Sequence, residues 1–181
     1  MGVRGGPNPR GRVRIGSFIG SALEAAGADL SQYDDLTLFD VDILHPGRTL
    51  LEKMYAIHGL ARQLAANILE TDKLRRNGRH FYDVYKLLGE ARVLGLLADR
   101  PQTREIMASI EETSQEEFKA TGELRADGGF AASLAFDRNS GISDQMRHAY
   151  EGIMPALYFG AEPLPAWGEI CTRVQAQHQL L

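Results

Sequence analysis

The sequence predicts a mainly α fold with one or two strands, an α+β remnant rather than a full α/β domain. Apolar residues recur at spacings of three and four through most of the 181-residue chain. Only Leu36 to Leu44 has the near-continuous apolar character of a strand. Gly, Pro and Asn-Gly punctuation cuts the rest into pieces of helix length.

The elements follow in order. Met1 to Arg14 combines Gly5, Gly6, Pro7, Pro9 and Gly11 with four arginines and no acid, and reads as a loop. Ile15, Phe18, Ile19, Ala22 and Ala26 predict a helix over 14–26, stopped by Gly27. Leu36, Leu38, Val41, Ile43 and Leu44 form the strand, closed by His45-Pro46-Gly47. Leu50, Met54, Ile57, Ala61, Leu64 and Ile68 make a strict stripe and predict the longest helix, 48–69. Asn77-Gly78 is a turn, and Phe81, Val84 and Leu88 place a helix over 79–88. A short helix over 90–98 follows, then one from Asp99-Arg100-Pro101 to Lys119. Residues 121–139 lack periodicity and read as a loop with a short strand at 130–136. Ser143 is expected to cap a helix through Met146, Tyr150, Ile153 and Leu157, ended by Gly160. Pro163 and Pro165 introduce a last helix with Trp167, Ile170, Cys171, Val174 and Leu181 as its buried stripe.

Composition narrows the function classes. Hydrophobic residues are 44% of the chain, enough for a packed core, and 20 basic against 24 acidic residues give a net charge of −4. That excludes a globally basic nucleic-acid coat and an acidic disordered tail. One cysteine excludes a disulfide framework or a Cys-rich zinc module. No apolar run approaches the ~20 residues of a membrane span, and no secretory leader is visible, so a cytoplasmic protein is expected. A lone strand needs neighbours for its backbone groups. With the Arg-Gly-Pro start, it leads to the expectation that further strands belong upstream of Met1. An unpaired edge at 36–44 also predicts dimerisation or aggregation.

Few residues carry chemistry. Lys53 sits on the helical wheel beside Leu50, Ile57, Leu60 and Leu64, where an ammonium needs a carboxylate or phosphate partner unless its stem snorkels to solvent. Arg79, His80 and Asp83 share one helix face at spacings of three and four. With Arg75 and Arg76 they form a basic stretch beside a helix N-terminus, which favours anions. Asp40-Val41-Asp42 places two carboxylates on one strand face, as metal sites do, but the Gly-Ser pairs upstream are a whole helix away. A solvent-facing strand side is the expectation there. The five histidines make no metal-ligand spacing, and Cys171 lies on an apolar stripe.

Two motifs and their order resemble a known family. Arg48-Thr49-Leu50-Leu51-Glu52-Lys53 resembles the R-T-L-x-E-K motif of the AbiEii/AbiGii toxin family of nucleotidyltransferases. Arg79-His80-Phe81-Tyr82-Asp83 resembles its R-[DH]-x-Y-D motif, His80 standing where many members have Asp. Gly2 to Pro7 resembles the loop after the last strand of the catalytic lobe. The resemblance implies a bilobed protein, with 1–46 the remnant of a nucleotidyltransferase lobe and 47–181 the helical lobe. It implies Lys53 and Asp83 as catalytic, with Lys53, Glu52, Arg79 and His80 toward the nucleotide phosphates. It implies an NTP and Mg²⁺ as cofactors, an acceptor that in some members is the 3′ end of tRNA, and an antitoxin encoded alongside. Growth arrest in phage defence is the implied outcome. The D-x-D carboxylates that hold Mg²⁺ in the family have no counterpart here, so the chain is expected to be truncated and inactive alone.

Two other readings compete. One is a non-catalytic helical interaction or RNA-binding module that uses Arg4, Arg10, Arg12 and Arg14. The other is a small Mg²⁺ enzyme built on Asp40 and Asp42.

Overall fold

A computed structural model describes residues 8–118 and 128–181. These fall into two compact units, divided between His45 and Pro46.

The first unit contains β1 (Arg10–Ile15), α1 (Phe18–Ala25) and β2 (Phe39–Leu44). The two strands pair antiparallel with Val13 opposite Val41, and the His45 N–H continues the ladder to the Pro9 carbonyl at 2.8 Å. The segment read as loop and helix start is thus a strand, and the strand read as lone has its neighbour in this chain. The sequence Arg-Gly-Arg-Val-Arg-Ile does alternate with period two, and the alternating members are charged. Arg10 reaches Asp42 at 3.5 Å, while Arg12 and Arg14 reach Asp40 at 3.7 and 3.4 Å. Residues 36–38 are not strand, because Asp34–Leu36 forms a 3₁₀ turn. α1 begins later than its apolar spacing suggests, because Ser17 caps it by accepting from the Gly20 N–H at 2.8 Å. The stripe that predicted it is not buried: Phe18 is 96% and Ile19 66% exposed.

The second unit is helical. α2 (Pro46–Ala65) is its axis, with Leu50, Leu51, Met54, Ile57, Leu60 and Ala61 buried. It stops short of Leu69 because Asn67 takes a left-handed conformation, φ 56°, that reverses the chain. α3 (Thr71–Asn77) follows, unforeseen because Leu74 is its only apolar residue. α4 (His80–Leu87), α5 (Ala91–Ala98) and α6 (Arg100–Phe118) stand as expected within a residue or two. Asp99 accepts from the Gln102 N–H at 3.0 Å at the start of α6, and Lys119 lies outside the described residues. α4 buries Phe81 and Val84, and the Phe81 ring meets Phe136 and Trp167 edge-on at 5.9 and 4.8 Å. Each such fully buried side chain contributes about 1.5–3 kcal/mol.

The strand expected at 130–136 is instead a 3₁₀ turn, Phe130–Ala132, followed by irregular chain. Its apolar residues are core plugs: Phe130, Ala131, Ala135 and Phe136 are all buried. Its backbone is satisfied one contact at a time rather than by a ladder. Phe130 N–H donates to the Leu181 carbonyl at 3.0 Å, and Gln175 Nε2 to the Ala131 carbonyl at 2.8 Å. Gly129 precedes it at φ 85°, ψ 177°, a conformation open essentially to glycine alone. Leu181 itself lies beyond α8 (Trp167–Ala176) and not on its stripe. α7 (Gly141–Leu157) is capped by Ser140, which accepts from the Ile142 N–H at 3.2 Å. Ser143 is buried instead, accepting from Trp167 Nε1 at 3.3 Å.

Candidate functional site

α2 and α4 pack side by side, and their shared flank brings the predicted residues together. Met54 and Ile57 point into the core with Phe81 and Val84, leaving Lys53 at the seam. Its Nζ lies 2.7 Å from Asp83 Oδ2 and 3.2 Å from His80 Nδ1. The Lys53 side chain is only 20% exposed and that of Asp83 38%. Lys53 therefore finds the counter-charge that its place on an apolar flank requires. Burial, and then the Lys53 charge, pushes the His80 imidazole down to about 4. His80 is neutral at pH 7, and its Nδ1 accepts from the ammonium, which leaves the ring proton on Nε2.

Glu52 and Arg79 do not join that triad in the way the sequence suggests. Glu52 Oε1 accepts from Arg48 Nε at 2.9 Å. The Arg48 side chain is 2% exposed, and its Nη2 also donates to Ser109 Oγ of α6 at 3.3 Å. Glu52 is thus engaged by a buried guanidinium. Sequence reasoning missed Arg48 as a structural residue, although its i,i+4 spacing to Glu52 beside Leu50 and Leu51 carried the signal. Arg79 is exposed just before α4, and with Arg75 and Arg76 it makes no ion pair among the described residues. Its nearest effect is on His80, whose protonated form it disfavours.

The α3–α4 turn is pressed against α7. A Cβ on Gly78 would fall 2.5 Å from the Ala149 carbonyl oxygen, so only glycine fits there. The Asn77-Gly78 signal thus marks a close helix approach as well as a turn. It fixes where α4 begins, and with it Arg79, His80 and Asp83.

The other sequence candidates resolve differently. Asp40 and Asp42 face Arg10, Arg12 and Arg14 across the sheet. His58 is buried on Ser133 Oγ at 3.0 Å, while His148 and His178 donate to the Asp144 and Gln175 carbonyls. Cys171 is fully buried and its thiol is pushed up to about 11 by that burial, which makes it inert. Among the described residues no three His, Cys, Asp or Glu side chains converge to hold a metal ion. No described helix is long and apolar enough to cross a membrane.

A family model for the nucleotidyl transferase AbiEii toxin of type IV toxin–antitoxin systems matches residues 2–173. The chain belongs to this family. No curated protein and no solved structure matches it. In this AbiEii-family chain the matched span holds both sequence motifs, Arg48 to Lys53 and Arg79 to Asp83, and their Lys53, His80 and Asp83 meet at one seam. The family is the toxin half of a toxin–antitoxin pair, which implies an NTP and an antitoxin as partners.

Proposed function

We propose that the helical unit of this AbiEii-family chain is the nucleotide-holding lobe of the transferase, with Lys53 on the phosphates. The observation that carries this reading is the donor count at Lys53. An ammonium has three N–H donors. One faces Asp83 and one faces His80, so a single donor is left for a phosphate oxygen. Asp83 holds the ammonium in place. His80 accepts without adding charge, so the seam can take an anion. Arg79, Arg75 and Arg76, exposed and without ion pairs among the described residues, supply the remaining positive charge. Glu52 acts one step removed, by neutralising Arg48.

In this reading residues 1–46 belong with the nucleotidyltransferase lobe and 47–181 form the helical lobe. The acceptor is an RNA end such as the 3′ end of tRNA, and the site of action is the cytoplasm, where the antitoxin restrains growth arrest during phage infection. In this reading the chain by itself binds nucleotide and does not transfer it, because the family's Mg²⁺-holding carboxylate motif has no counterpart in its sequence.

The test is calorimetric titration of the purified chain with each of the four NTPs, with Lys53→Gln and Asp83→Asn in parallel. Saturable binding that drops at least tenfold in Lys53→Gln, with folding unchanged by circular dichroism, supports the reading. Equal binding by wild type and Lys53→Gln overturns it. Transfer of labelled nucleotide to RNA by the wild-type chain alone would overturn the inactivity.

The RNA-binding-module reading is weaker. Its basic arm is largely spent, since Arg10, Arg12 and Arg14 are paired to Asp40 and Asp42. Arg4 lies outside the described residues.

A further inference from the structure

The outer flank of α4, away from His80, lines a cleft of about 240 Å³. Tyr82 and Tyr85 of α4 and Tyr158 at the end of α7 supply three half-buried rings, and Lys86 and Glu162 stand at its rim. The Tyr82 and Tyr158 rings lie 5.4 Å apart, and Arg173 braces the Tyr85 ring at 3.7 Å. The far wall is fixed as well. Glu169 accepts from the Ala166 N–H at 2.7 Å, and Tyr150 donates to the Pro165 carbonyl at 2.8 Å. The rim, by contrast, is loosely engaged: Lys86 and Glu162 approach only to 4.0 Å, with 54% and 82% of their side chains exposed. Such a pair contributes little to stability and is free to turn to a ligand.

We propose that this cleft is a nucleobase subsite, in which an unpaired base stacks on the Tyr158 face, with the Tyr82 ring, tilted 58° to it, against the base's edge, between Glu162 and Lys86. A cleft this size suits a single ring system rather than a drug-sized ligand. Aromatic faces hold bases by stacking, irrespective of sequence. Glu162 accepts and Lys86 donates side by side, which matches an exocyclic amine beside a ring acceptor, the edge of cytosine or adenine. Arg79, Tyr82 and Lys86 lie at i, i+3 and i+7 and so form one stripe. The attached phosphate then has an exposed guanidinium about 10 Å along the helix from Lys86. Preformed walls keep the ordering cost low. The class of ligand rests on the proposed function; the stacking pocket does not include Lys53, and Arg79 at its edge is the residue the two sites share. The pocket receives either a free nucleotide or the end of a single strand.

Photochemical crosslinking with 5-iodocytidine tests the subsite on the full chain. One probe is an oligocytidine carrying the iodo base at its 3′ end; the other is 5-iodo-CMP. Adducts mapping to Tyr82, Tyr85 or Tyr158 support the proposal, and the absence of adducts from all three overturns it. Equal labelling by both probes assigns the subsite to free nucleotide, whereas labelling by the oligonucleotide alone assigns it to a strand end. Tyr158→Leu should weaken probe binding roughly tenfold, the loss of one base stack, while Tyr158→Phe retains it. Unchanged binding in Tyr158→Leu overturns the proposal. Displacement of the probe by arginine amide but not by cytidine reassigns the tyrosines to a cationic side chain and also overturns it. The crosslink reads the base and the Lys53→Gln titration reads the phosphates, so loss of one with the other kept separates failure here from failure of the phosphate site.

Discussion

Lys53 Nζ on α2 and Asp83 Oδ2 on α4 are 2.7 Å apart, and each is the other's only ion-pair partner among the described residues. Their coupling is measurable. Lys53→Met, Asp83→Asn and the double variant should give non-additive losses in unfolding free energy, with a coupling of about 0.5–3 kcal/mol. The lower half of that range is expected, because Asp83 is 38% exposed. Nucleotide affinity should fall in Lys53→Met and Asp83→Asn alike, since the carboxylate holds the ammonium in place. Additive stability changes in urea titrations would show that the pair is incidental.

His80 makes the helical unit acid-sensitive. Burial, and then Lys53, lowers its pKa from 6.5 in the unfolded chain to about 4 in the folded one. Between those values the unfolded state binds more protons, so stability is intact above about pH 6.5 and lost as pH falls toward 4. At pH 5 the loss is about 2 kcal/mol, as an upper figure for a group that keeps some solvent contact. Urea titrations at pH 7 and pH 5 should show it, and His80→Gln should flatten it. A residual slope is expected from His58, whose pKa burial also lowers. An unchanged slope in His80→Gln would remove His80 from this account.

How far the sequence reached depends on what each segment buries. α2 was legible because its stripe faces the core along five turns, and Lys53 stood out as a cation beside that stripe. α4 was legible for the same reason, and the motif spacing brought His80 and Asp83 to Lys53. β1 was not, because its alternation is carried by Arg10, Arg12 and Arg14, which hydrophobic patterning does not weigh. α3 has one apolar residue and holds on α7 through a glycine contact that no periodicity reports. Phe130 to Phe136 has the composition of a strand but pairs with no strand among the described residues, and its apolar side chains pack as plugs. The pairing of Glu52 with Arg48 was not legible as a core contact, because the burial of Arg48 depends on α6.

Arg48 should be among the costlier residues to truncate. It is 2% exposed and bonded to Glu52 and Ser109. Arg48→Ala removes a buried cation and leaves Glu52 without that partner, which costs about 3 kcal/mol or more. Arg48→Met with Glu52→Leu deletes both charges while keeping volume, and should recover much of the loss. The check is thermal unfolding of the single and double variants. A double variant no better than Arg48→Ala would mean that the ion pair, not the packing, dominates.

Asp40 and Asp42 should be dispensable for nucleotide binding. Their carboxylates are 40% and 48% exposed and face arginines rather than a common point. Asp40→Asn with Asp42→Asn removes three exposed ion pairs, each worth about 0–1 kcal/mol and screened by salt. The expected result is a small stability loss in low salt, nearly absent at 0.5 M, with nucleotide affinity unchanged. A drop in affinity on this double change would place these carboxylates in the site after all.

Gly78 links fold to site. It lies buried where the α3–α4 turn meets α7, and a Cβ there would come within 2.5 Å of the Ala149 carbonyl oxygen and 2.7 Å of its carbon. The contact is backbone, so no side chain can swing aside. Gly78→Ala must either push α7 away or shift the start of α4, at a cost of about 1–3 kcal/mol by analogy with overpacked cores. Its φ is −53°, so conformational strain is absent and the clash alone is tested. If α4 gives way, His80 and Asp83 move off Lys53, and nucleotide affinity falls along with stability. If α7 gives way, stability falls and affinity holds. Truncating the neighbouring Ile153, whose Cγ2 is 3.0 Å from the same point, should not rescue either, because the carbonyl remains. Thermal unfolding and NTP titration of Gly78→Ala, with and without Ile153→Ala, decide between the two. Wild-type stability in Gly78→Ala would show that the close approach is not needed.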